Sequence, residues 1–384
     1  MAILGIVAEY DPFHNGHLKH LCLSMESVSP SAVLVALSGP FKQRGEPALL
    51  SPFVRAECAL ASGADAVFAL PVLWTVRDAE HYALGAVSML ASLGVTHLAF
   101  GAETADLPLL QRTADLLEDS PAILRDTLHA ALSGGKGYPA ALAEAAGACI
   151  PESRPLLDHS NNILAVCYLR AIRRLGLSVT PVVVPRAGSY HSDCVDPVAP
   201  SASAVRDSLC RGSWEALCAL PEVSASAVRS AFLSREIPDS GRLDALLLEK
   251  LRSMTPEQAA CLPDCSEGLG TALLNAAART DSRTELISAL TTRRYSSARI
   301  SRLCTYAMLG VTQSRLESAP MPSVALLLAI KKNPSLTGSW KNSPVKILSA
   351  AGWQEHADPE DLAAWRLWSG ACRLSPSYPF TRKL

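Results

Sequence analysis

Short apolar runs, separated by segments of helical length, dominate the first hundred residues. The runs cover residues 3–8, 32–37, 66–70 and 95–100, and each is too short for a typical helix. Strands that are buried on both faces of a parallel sheet have this continuous apolar character, and the segments between them fit crossover helices. The pattern therefore predicts βαβ units, a parallel sheet and a Rossmann-like α/β domain.

The α/β pattern continues to about residue 212. Residues 161–175 carry apolar side chains at helical spacing, Gly176 fits a helix C-cap, and residues 179–184 read as a further strand. Beyond Trp214 we find no strand alternation, but amphipathic helical stretches cover residues 242–254 and 298–309. We therefore predict two domains, an α/β domain over residues 1–212 and a mainly helical domain over residues 213–384.

Composition excludes several classes of protein. The chain has 384 residues, 49% of them hydrophobic, which is enough for a large buried core. No apolar run approaches the roughly eighteen residues of a membrane span, and the N-terminus lacks the features of a signal peptide, so a cytoplasmic protein without membrane contact is expected. The eleven cysteines are scattered, and the closest pair, Cys261 and Cys265, has no second pair at zinc-site spacing. Reduced thiols and no metal site are expected.

The near-neutral net charge of −1 hides an asymmetry between the two halves. From residue 279 to the end there are 15 Lys and Arg against 7 Asp and Glu. A locally basic region suits a polyanion such as RNA, although a solvated helical surface explains the same charge.

The segment EYDPFHNGHLKH, residues 9–20, holds three histidines at spacing three directly after the first predicted strand. Gly16 opens a helix there, which puts His14 and His17 beside a helix N-terminus at the carboxyl edge of the sheet. Phosphates bind at such positions because backbone NH groups and the helix dipole favour negative charge. Imidazoles there can stabilise the charge that develops during nucleotidyl transfer. Metal ligation by His14, His17 and His20 is the alternative, but the motif fixes no acidic or cysteine ligand beside them, so zinc is disfavoured.

Two further segments carry polar side chains near the predicted sheet edge. Lys42, Gln43 and Arg44 follow the second strand and could receive either a small carboxylate substrate or an RNA end. Lys136 lies in SGGKGYP, which lacks the phosphate-loop pattern GxxxxGK[ST] and is therefore interpreted as a surface loop.

Six segments together resemble one known family. They are EYDPFHNGHLKHL, SGPFKQRGEPALL, GADAVFALPV, AEHYALGAVSMLASLGVTHLAFGAE, HSNNIL and RRYSSARISRLCTYAMLGV. The HxGH of His14 to His17 resembles the signature of the HxGH nucleotidyltransferase superfamily, and the whole set resembles the tRNA(Met) cytidine acetate ligase family over nearly the full chain. The resemblance implies activation of acetate by ATP to acetyl-adenylate. It also implies transfer of acetyl to the exocyclic amine of the wobble cytidine of elongator tRNA(Met), giving N4-acetylcytidine.

The resemblance also implies a set of ATP contacts, with magnesium as an expected companion of ATP. His14 and His17 are implied as the catalytic residues at the phosphates. The implied ATP-binding residues are Val7, Ala8, Glu9, Tyr10, Asp11, Pro12, Phe13, His14, Asn15, Gly16, His17, Leu18, Lys19, His20, Gly101, Asn161, Asn162 and Arg186. Without the resemblance, the glycine is explained as a turn, the asparagines as helix caps and the last arginine as a surface charge.

The segment PSASAVRDSL resembles the superfamily motif that holds the triphosphate, which implicates Ser201, Ser203 and Arg206 in ATP binding. An N-cap serine with an ordinary arginine is the alternative. Two departures from the family pattern stand out: Asp11 replaces the usual asparagine, and Ala204 replaces a hydroxyl residue. Asp11 is expected either to point away from the triphosphate or to help hold magnesium.

The basic second half supplies the candidate tRNA contacts. We expect RRYSSAR to contact tRNA phosphates and list the candidate cations as Arg293, Arg294, Arg299, Arg302, Lys331 and Lys332. Under this interpretation residues 1–212 bind ATP and activate acetate, while residues 213–384 bind tRNA. Two rival hypotheses stay open, an adenylyltransferase for a small phosphorylated cofactor precursor and a non-catalytic protein that binds nucleotide or RNA.

Overall fold

The strands form one seven-stranded sheet with helices on both faces. A computed structural model describes residues 2–186, 195–198, 200–265, 268–331, 338, 340, 343–375 and 377–378. The strands within these ranges are β1 Ile3–Ala8, β2 Ala32–Ser38, β3 Ala66–Leu70, β4 His97–Ala102, β5 Thr180–Pro185, β6 Val324–Ile330 and β7 Lys346–Leu348.

The strand order is β5-β4-β1-β2-β3-β6-β7. The first five strands pair in parallel with their neighbours, whereas β6 pairs antiparallel with β3 and β7 pairs parallel with β6. The predicted Rossmann-like parallel sheet is confirmed, and β1 and β3 have the predicted bounds. Since parallel strands end at the same edge, the segments that follow β1 to β5 meet there.

Most helices cross between the strands or follow them in the second half. They are α1 Asn15–Val28, α2 Pro52–Ala61, α3 Val72–Thr75, α4 Ala79–Ser92, α5 Leu107–Asp119, α6 Ala122–Ser133, α7 Tyr138–Cys149, α8 Ser153–Leu156, α9 Ser160–Arg174, α10 Ala202–Cys210, a 3-10 helix Trp214–Ala219, α11 Glu222–Leu233, α12 Ser240–Arg252, α13 Pro256–Ala260, α14 Leu269–Ala277, α15 Arg283–Leu290, α16 Ser297–Leu309, α17 Gln313–Glu317, α18 Ala350–Trp353 and α19 Pro359–Ala371. None of the described helices is both long and apolar enough to cross a bilayer.

The expectation that no strand follows Trp214 is wrong. Strands β6 and β7 extend the sheet beyond β3, so the second half of the chain adds two strands to the sheet of the first half. The β6 sequence VALLLAI is apolar throughout and therefore shows no alternation, and an apolar run of this length cannot be told from a buried helical turn by periodicity. The other elements that the structure describes within residues 213–384 are helices, as predicted.

A shared apolar core joins the helical region to the loops at the carboxyl edge of the sheet. Phe41, from the loop after β2, and Leu73, from α3, are buried in one cluster with Leu247, Leu303 and other side chains of the helical region. Burial of side chains of this size contributes roughly 2 kcal/mol each. The helical region is therefore held against the edge of the sheet where the parallel strands end and polar side chains gather.

Candidate active site

His14 and His17 hold each other in a reciprocal cap at the start of α1. The Nδ1 atom of His14 accepts a hydrogen bond from the His17 backbone N–H at 3.3 Å, and Nδ1 of His17 accepts one from the His14 N–H at 3.2 Å. The two imidazoles stack with ring centroids 3.5 Å apart and an interplanar angle of 13°. This is a capping box in which histidines replace the usual hydroxyl and carboxamide groups.

The cap fixes the protonation of His14. Because Nδ1 accepts a hydrogen bond, the proton of the neutral ring lies on Nε2. Burial, together with the charge of Arg186, lowers the pKa of His14 to about 3, so the ring is neutral near pH 7. Its Nε2 is buried and has no hydrogen-bond partner among the residues that the structure describes. The site therefore presents a neutral donor that protein groups do not use.

His20 adds a third ring, half-buried and one turn after His17 along α1. Burial, assisted by the charge of Arg186, lowers its pKa to about 4, and its Nε2 also has no hydrogen-bond partner in the described part of the chain. Burial likewise lowers the pKa of His17 well below its ordinary value, and the neighbouring His14 contributes. All three imidazoles are thus neutral near pH 7, which fits hydrogen bonding to a ligand better than a fixed positive charge.

Two glycines leave space around these rings for different reasons. A Cβ atom on Gly16 would lie 3.0 Å from Cε1 of His14, so glycine makes room for the stacked imidazole. A Cβ atom on Gly101, in β4, would lie at an ordinary contact distance of 3.6 Å from Cδ2 of His20 and 3.9 Å from Cβ of Arg186. A methyl group at Gly101 would therefore not clash with protein atoms. The space beside Gly101 lies between the His20 imidazole and Arg186.

Arg186, Asn161 and Glu103 form a chain of polar contacts beside the histidines. Arg186 Nη1 donates to Asn161 Oδ1 at 3.3 Å, and Asn161 Nδ2 donates to Glu103 Oε1 at 2.5 Å. Arg186 follows β5, Glu103 follows β4 and Asn161 lies in the first turn of α9, so three elements meet at the sheet edge. Among these three residues, Arg186 carries the positive charge.

The two predicted asparagines differ in their surroundings. Asn162 is fully buried, and its side chain bonds to both Thr104 N–H and Thr104 Oγ1 and to the Leu156 carbonyl. Protein groups therefore use both ends of its amide, and it holds α9 to the segment after β4. Asn161 is the asparagine that lies beside Arg186.

Asp11 points into the protein. Its Oδ1 accepts hydrogen bonds from the backbone N–H groups of Leu49 at 2.8 Å and Leu50 at 3.3 Å. Its Oδ2 lies 3.4 Å from Lys42 Nζ and 3.9 Å from Arg206 Nε. Burial raises the pKa of Asp11, but the charges of Lys42 and Arg206 outweigh burial and lower it overall. Of the two expectations for Asp11, the structure therefore favours the one in which it points away from the triphosphate.

The PSASA segment lies against the start of α1. Arg206 Nη1 donates to the Asp11 carbonyl at 2.7 Å, and Asn15 Nδ2 donates to the Pro197 carbonyl at 3.0 Å. Ser201 occupies the N-cap position of α10 without a side-chain cap bond, and its hydroxyl lies 2.8 Å from that of Ser203. The structure thus brings the predicted PSASA residues next to the histidine helix.

Arg55 was missed by sequence reasoning. This fully buried guanidinium in α2 donates to Ser38 Oγ at 3.1 Å, the Ser38 carbonyl at 3.0 Å and the Leu50 carbonyl at 3.1 Å. It also bonds to the carbonyls of Glu9 and Gly39. One cation therefore joins the segments after β1 and β2, and nothing in the sequence PFVRAECALA signals this role.

Polar groups of the loop after β2 bond to other protein groups. Lys42 Nζ forms ion pairs with Asp11 and, at 2.7 Å, with Glu46 Oε2, while the Gln43 N–H donates to Glu9 Oε1 at 2.8 Å. The Arg44 carbonyl accepts a hydrogen bond from Ser301 of α16. The loop thus connects the segment after β1 to the helical region.

The predicted tRNA contacts differ in exposure. Arg293 and Arg294 are exposed, and Arg299 is half-buried with its guanidinium carbon 5.0 Å from the centre of the Tyr295 ring. Arg302, by contrast, is only 9% exposed.

Two lysines complete the set of predicted RNA contacts. Lys331 Nζ lies 3.9 Å from Asp65 Oδ1. Lys332 lies outside the described residues. Lys136, predicted to lie in a surface loop, is exposed and ion-paired with Glu144.

The described ranges contain no set of protein ligands for a metal ion. No group of three or more His, Cys, Asp or Glu side chains there could hold a metal ion. The ten described cysteines are free, as predicted for those positions. Asp11, which could have served a magnesium ion, is instead engaged by Lys42.

A Rossmann-like sheet with an HxGH sequence at the first helix defines a nucleotidyltransferase of the HxGH class. The family model of the HIGH Nucleotidyl Transferase matches residues 1–370. The tRNA(Met) cytidine acetate ligase of Syntrophomonas wolfei is 37% identical over 332 residues, which cover 83% of this chain and 78% of that protein. The enzyme of the same name from Thermoanaerobacter sp. strain X514 is 32% identical over 357 residues, 91% of this chain and 88% of its own. The chain belongs to the tRNA(Met) cytidine acetate ligase family.

Solved structures agree with this assignment. The apo crystal structure of Thermotoga maritima TmcAL superposes with a TM-score of 0.93 at 28% identity and covers 99% of this chain and 98% of that one. The same protein bound with alpha-thio ATP superposes with a TM-score of 0.90, again at 28% identity and with the same coverage.

Proposed function

We propose that this chain activates acetate with ATP to acetyl-adenylate. It then transfers the acetyl group to N4 of the wobble cytidine of elongator tRNA(Met). The observation that carries the proposal is the unused Nε2 donor of His14, buried at the start of α1 and stacked on His17. The name of the similar enzymes supports tRNA(Met) and acetate as substrates, and we propose that the reaction takes place in the cytoplasm.

In the first half-reaction, an acetate oxygen attacks the α-phosphorus of ATP and the bond to pyrophosphate breaks. Negative charge grows on the α-phosphate oxygens and on the departing pyrophosphate. The His14 Nε2–H donates a hydrogen bond to these oxygens, and His17 holds the His14 ring by stacking and by the reciprocal cap. Preorganised donors in a buried site stabilise such charge without reorganising water.

The remaining predicted ATP contacts divide between ligand binding and support. We propose that Arg186 and Asn161 contact the nucleotide, which passes Gly101 in the space beside His20. Asn162 supports the neighbouring Asn161, because both ends of the Asn162 amide already bond to protein groups.

We propose that Arg206 supports the helix start through the Asp11 carbonyl and remains close enough to meet the triphosphate. Magnesium, where present, would be held mainly by ATP oxygens, because the described residues offer no ligand cluster.

In the second half-reaction, the cytosine N4 attacks the acetyl carbonyl carbon. The carbon–oxygen bond to AMP breaks, AMP leaves as the phosphate anion, and N4 loses one proton to the AMP phosphate or to water. No protein nucleophile is needed, because the mixed anhydride already carries a good leaving group. The base must be unstacked to enter the site, which single-stranded anticodon loops allow.

We assign ATP binding and acetate activation to residues 1–212 and tRNA binding to the basic region within residues 213–384. The exposed Arg293 and Arg294 support contacts to the tRNA backbone. Phosphate contacts of this kind position an RNA and weaken with salt.

Exchange of labelled pyrophosphate into ATP tests the proposal against its two rivals. We expect exchange that depends on acetate. Exchange that requires a phosphorylated cofactor precursor instead would favour the small-molecule adenylyltransferase. Intact ATP binding without exchange under either condition would favour a non-catalytic protein.

A further inference from the structure

Arg302 is a buried cation whose Nε makes no hydrogen bond within the described part of the chain. It is 9% exposed in α16, and its guanidinium makes no hydrogen bond or ion pair with any residue in the described part of the chain. Neighbouring Arg283 also has a buried Nε without a partner, but its Nη2 donates to the Gly45 carbonyl at 3.0 Å and to Ser301 Oγ at 2.6 Å. Buried donors are normally satisfied, so an unused guanidinium indicates a ligand.

Contacts with the loop after β2 place Arg302 at the carboxyl edge of the sheet. Thr305 Oγ1 donates to the Gly45 carbonyl, and a Cβ on Gly45 would lie 2.8 Å from the Arg302 Cα. Gly45 has φ +79°, so a side chain there would be both strained and obstructed. The same loop carries Gln43, whose N–H donates to Glu9 Oε1 at 2.8 Å. Arg302 therefore lies across this loop from the segment that carries the histidines.

The turn after α3 encloses the other side of Arg302. Tyr306, in the same helix, donates to the Val76 carbonyl at 2.6 Å and so holds that turn. Asp78 in the turn bonds to His81 Nδ1 at 2.7 Å. Burial raises the pKa of Asp78, but its bonds to His81, with the charge of Arg302, lower it overall. The surroundings of Arg302 thus include the carboxylate of Asp78.

We propose that Arg302 binds O2 and N3, the acceptor edge of the wobble cytosine, so that N4 faces the acetyl-adenylate at the histidines. This proposal rests on the proposed function and names the residue that orients the base. The planar guanidinium fork suits two adjacent acceptors on one ring. Flipped bases are read by hydrogen bonds to their Watson–Crick edge in this way.

The carboxylate of Asp78 near Arg302 favours a base over a backbone phosphate. Asp78 would repel a phosphate, whereas a cytosine is neutral and offers the N4–H donors that carboxylates accept. Burial of Arg302 points the same way, because backbone contacts are made by exposed cations such as Arg293 and Arg294. Arg302 therefore acts on the base rather than on overall tRNA affinity.

The test compares Arg302→Gln and Arg302→Lys with the exposed control Arg293→Gln. Three quantities are measured for each: acetate-dependent pyrophosphate exchange, the dissociation constant for tRNA, and kcat for acetyl transfer. Both Arg302 variants should keep exchange and tRNA affinity within about twofold and lose about ten- to hundredfold in kcat for transfer. Arg293→Gln should weaken tRNA binding most at low salt, as expected for loss of a phosphate contact.

Several outcomes would overturn the assignment. Weakened tRNA binding in Arg302→Gln that Arg302→Lys restores would make Arg302 a phosphate contact, because lysine keeps the charge and not the fork. Loss of exchange in both Arg302 variants would make it a support of the ATP site. Absence of acetate-dependent exchange in the unaltered protein would remove the proposed function, and the assignment of Arg302 would fall with it.

Discussion

Two neighbouring clusters at the start of α1 differ in whether their polar groups have protein partners. In the ion cluster of Asp11, Lys42, Glu46 and Arg206, each charge lies within 4 Å of an opposite one, at 2.7, 3.4, 3.6 and 3.9 Å, so Asp11 Oδ2 has ion-pair partners although it makes no hydrogen bond among the described residues. In the histidine cluster of His14, His17 and His20, two buried Nε2 atoms have no hydrogen-bond partner among the described residues. The comparison teaches that the first cluster holds the loop, while the second is left incomplete for a ligand.

The largest expected effect comes from removing the unused donor and keeping the cap. Asparagine is a strong N-cap residue, so His14→Asn should preserve the start of α1 while removing the Nε2 donor. We expect kcat for pyrophosphate exchange to fall about 10²- to 10³-fold, as for loss of one transition-state donor, with an unchanged melting temperature. Exchange kinetics and thermal unfolding are measured together. Full activity in a folded variant would show that the histidine cluster is structural.

The second effect tests the paired cluster. Asp11→Asn leaves the buried Lys42 without one of its two carboxylates, which should lower the free energy of unfolding by about 3 kcal/mol. The double variant Asp11→Asn with Lys42→Met removes both charges and should recover most of this loss. Urea unfolding measures the stabilities, and exchange measures activity. A loss of exchange in the double variant, once folded, would place Asp11 in the chemistry instead.

The same cluster predicts an acid dependence. The pKa of Asp11 is lowered in the folded protein, and that of Glu46 is lowered to about 2 because the charge and hydrogen bond of Lys42 outweigh burial. Groups with lowered pKa stabilise the fold above their unfolded pKa, near 4, and lose that contribution as pH falls through the folded value. Stability should therefore decline below about pH 4, and the double variant should show a shallower decline.

A third effect comes from a buried carboxylate outside both clusters. Asp361, at the start of α19, accepts a hydrogen bond from the Val72 N–H at 2.7 Å, and burial raises its pKa to about 7. A raised carboxyl pKa means that stability falls as pH rises from about 4 to 7 and then levels off. Asp361→Asn keeps the acceptor and should add about 2 kcal/mol above pH 7. Unfolding at pH 5 and pH 8 measures this, and an equal change at both values would contradict it.

The smallest expected effect tests whether the nucleotide occupies the space beside Gly101 and His20. A methyl group at Gly101 meets protein atoms only at ordinary contact distances, so Gly101→Ala should fold normally. It should raise KM for ATP about tenfold, or ~1.4 kcal/mol, by filling space beside His20. Gly16→Ala is the contrasting variant, because its methyl would press on the His14 ring and should disturb the cap itself. Unaltered KM in Gly101→Ala would move the nucleotide away from this strand end.

How much the sequence predicts differs between these parts. Apolar runs identify β1 to β5, and HxGH at a helix start locates His14 and His17, because both signals are local. Strand β6 is missed because its apolar run has no period, and Arg55 is missed because four of its five acceptors lie on distant segments. The environments of Asp11 and Asn162 also depend on tertiary structure, because only the fold brings Lys42 next to Asp11 and Thr104 next to Asn162.

Nucleoside mass spectrometry tests the central claim most directly. Unmodified elongator tRNA(Met) is incubated with the protein, ATP, magnesium and isotopically labelled acetate, with His14→Asn as the matched control. The account predicts labelled N4-acetylcytidine at the wobble position that requires ATP and falls at least a hundredfold in the control. Absence of the labelled nucleoside with folded, ATP-binding protein would contradict the account, and so would equal yield from the control.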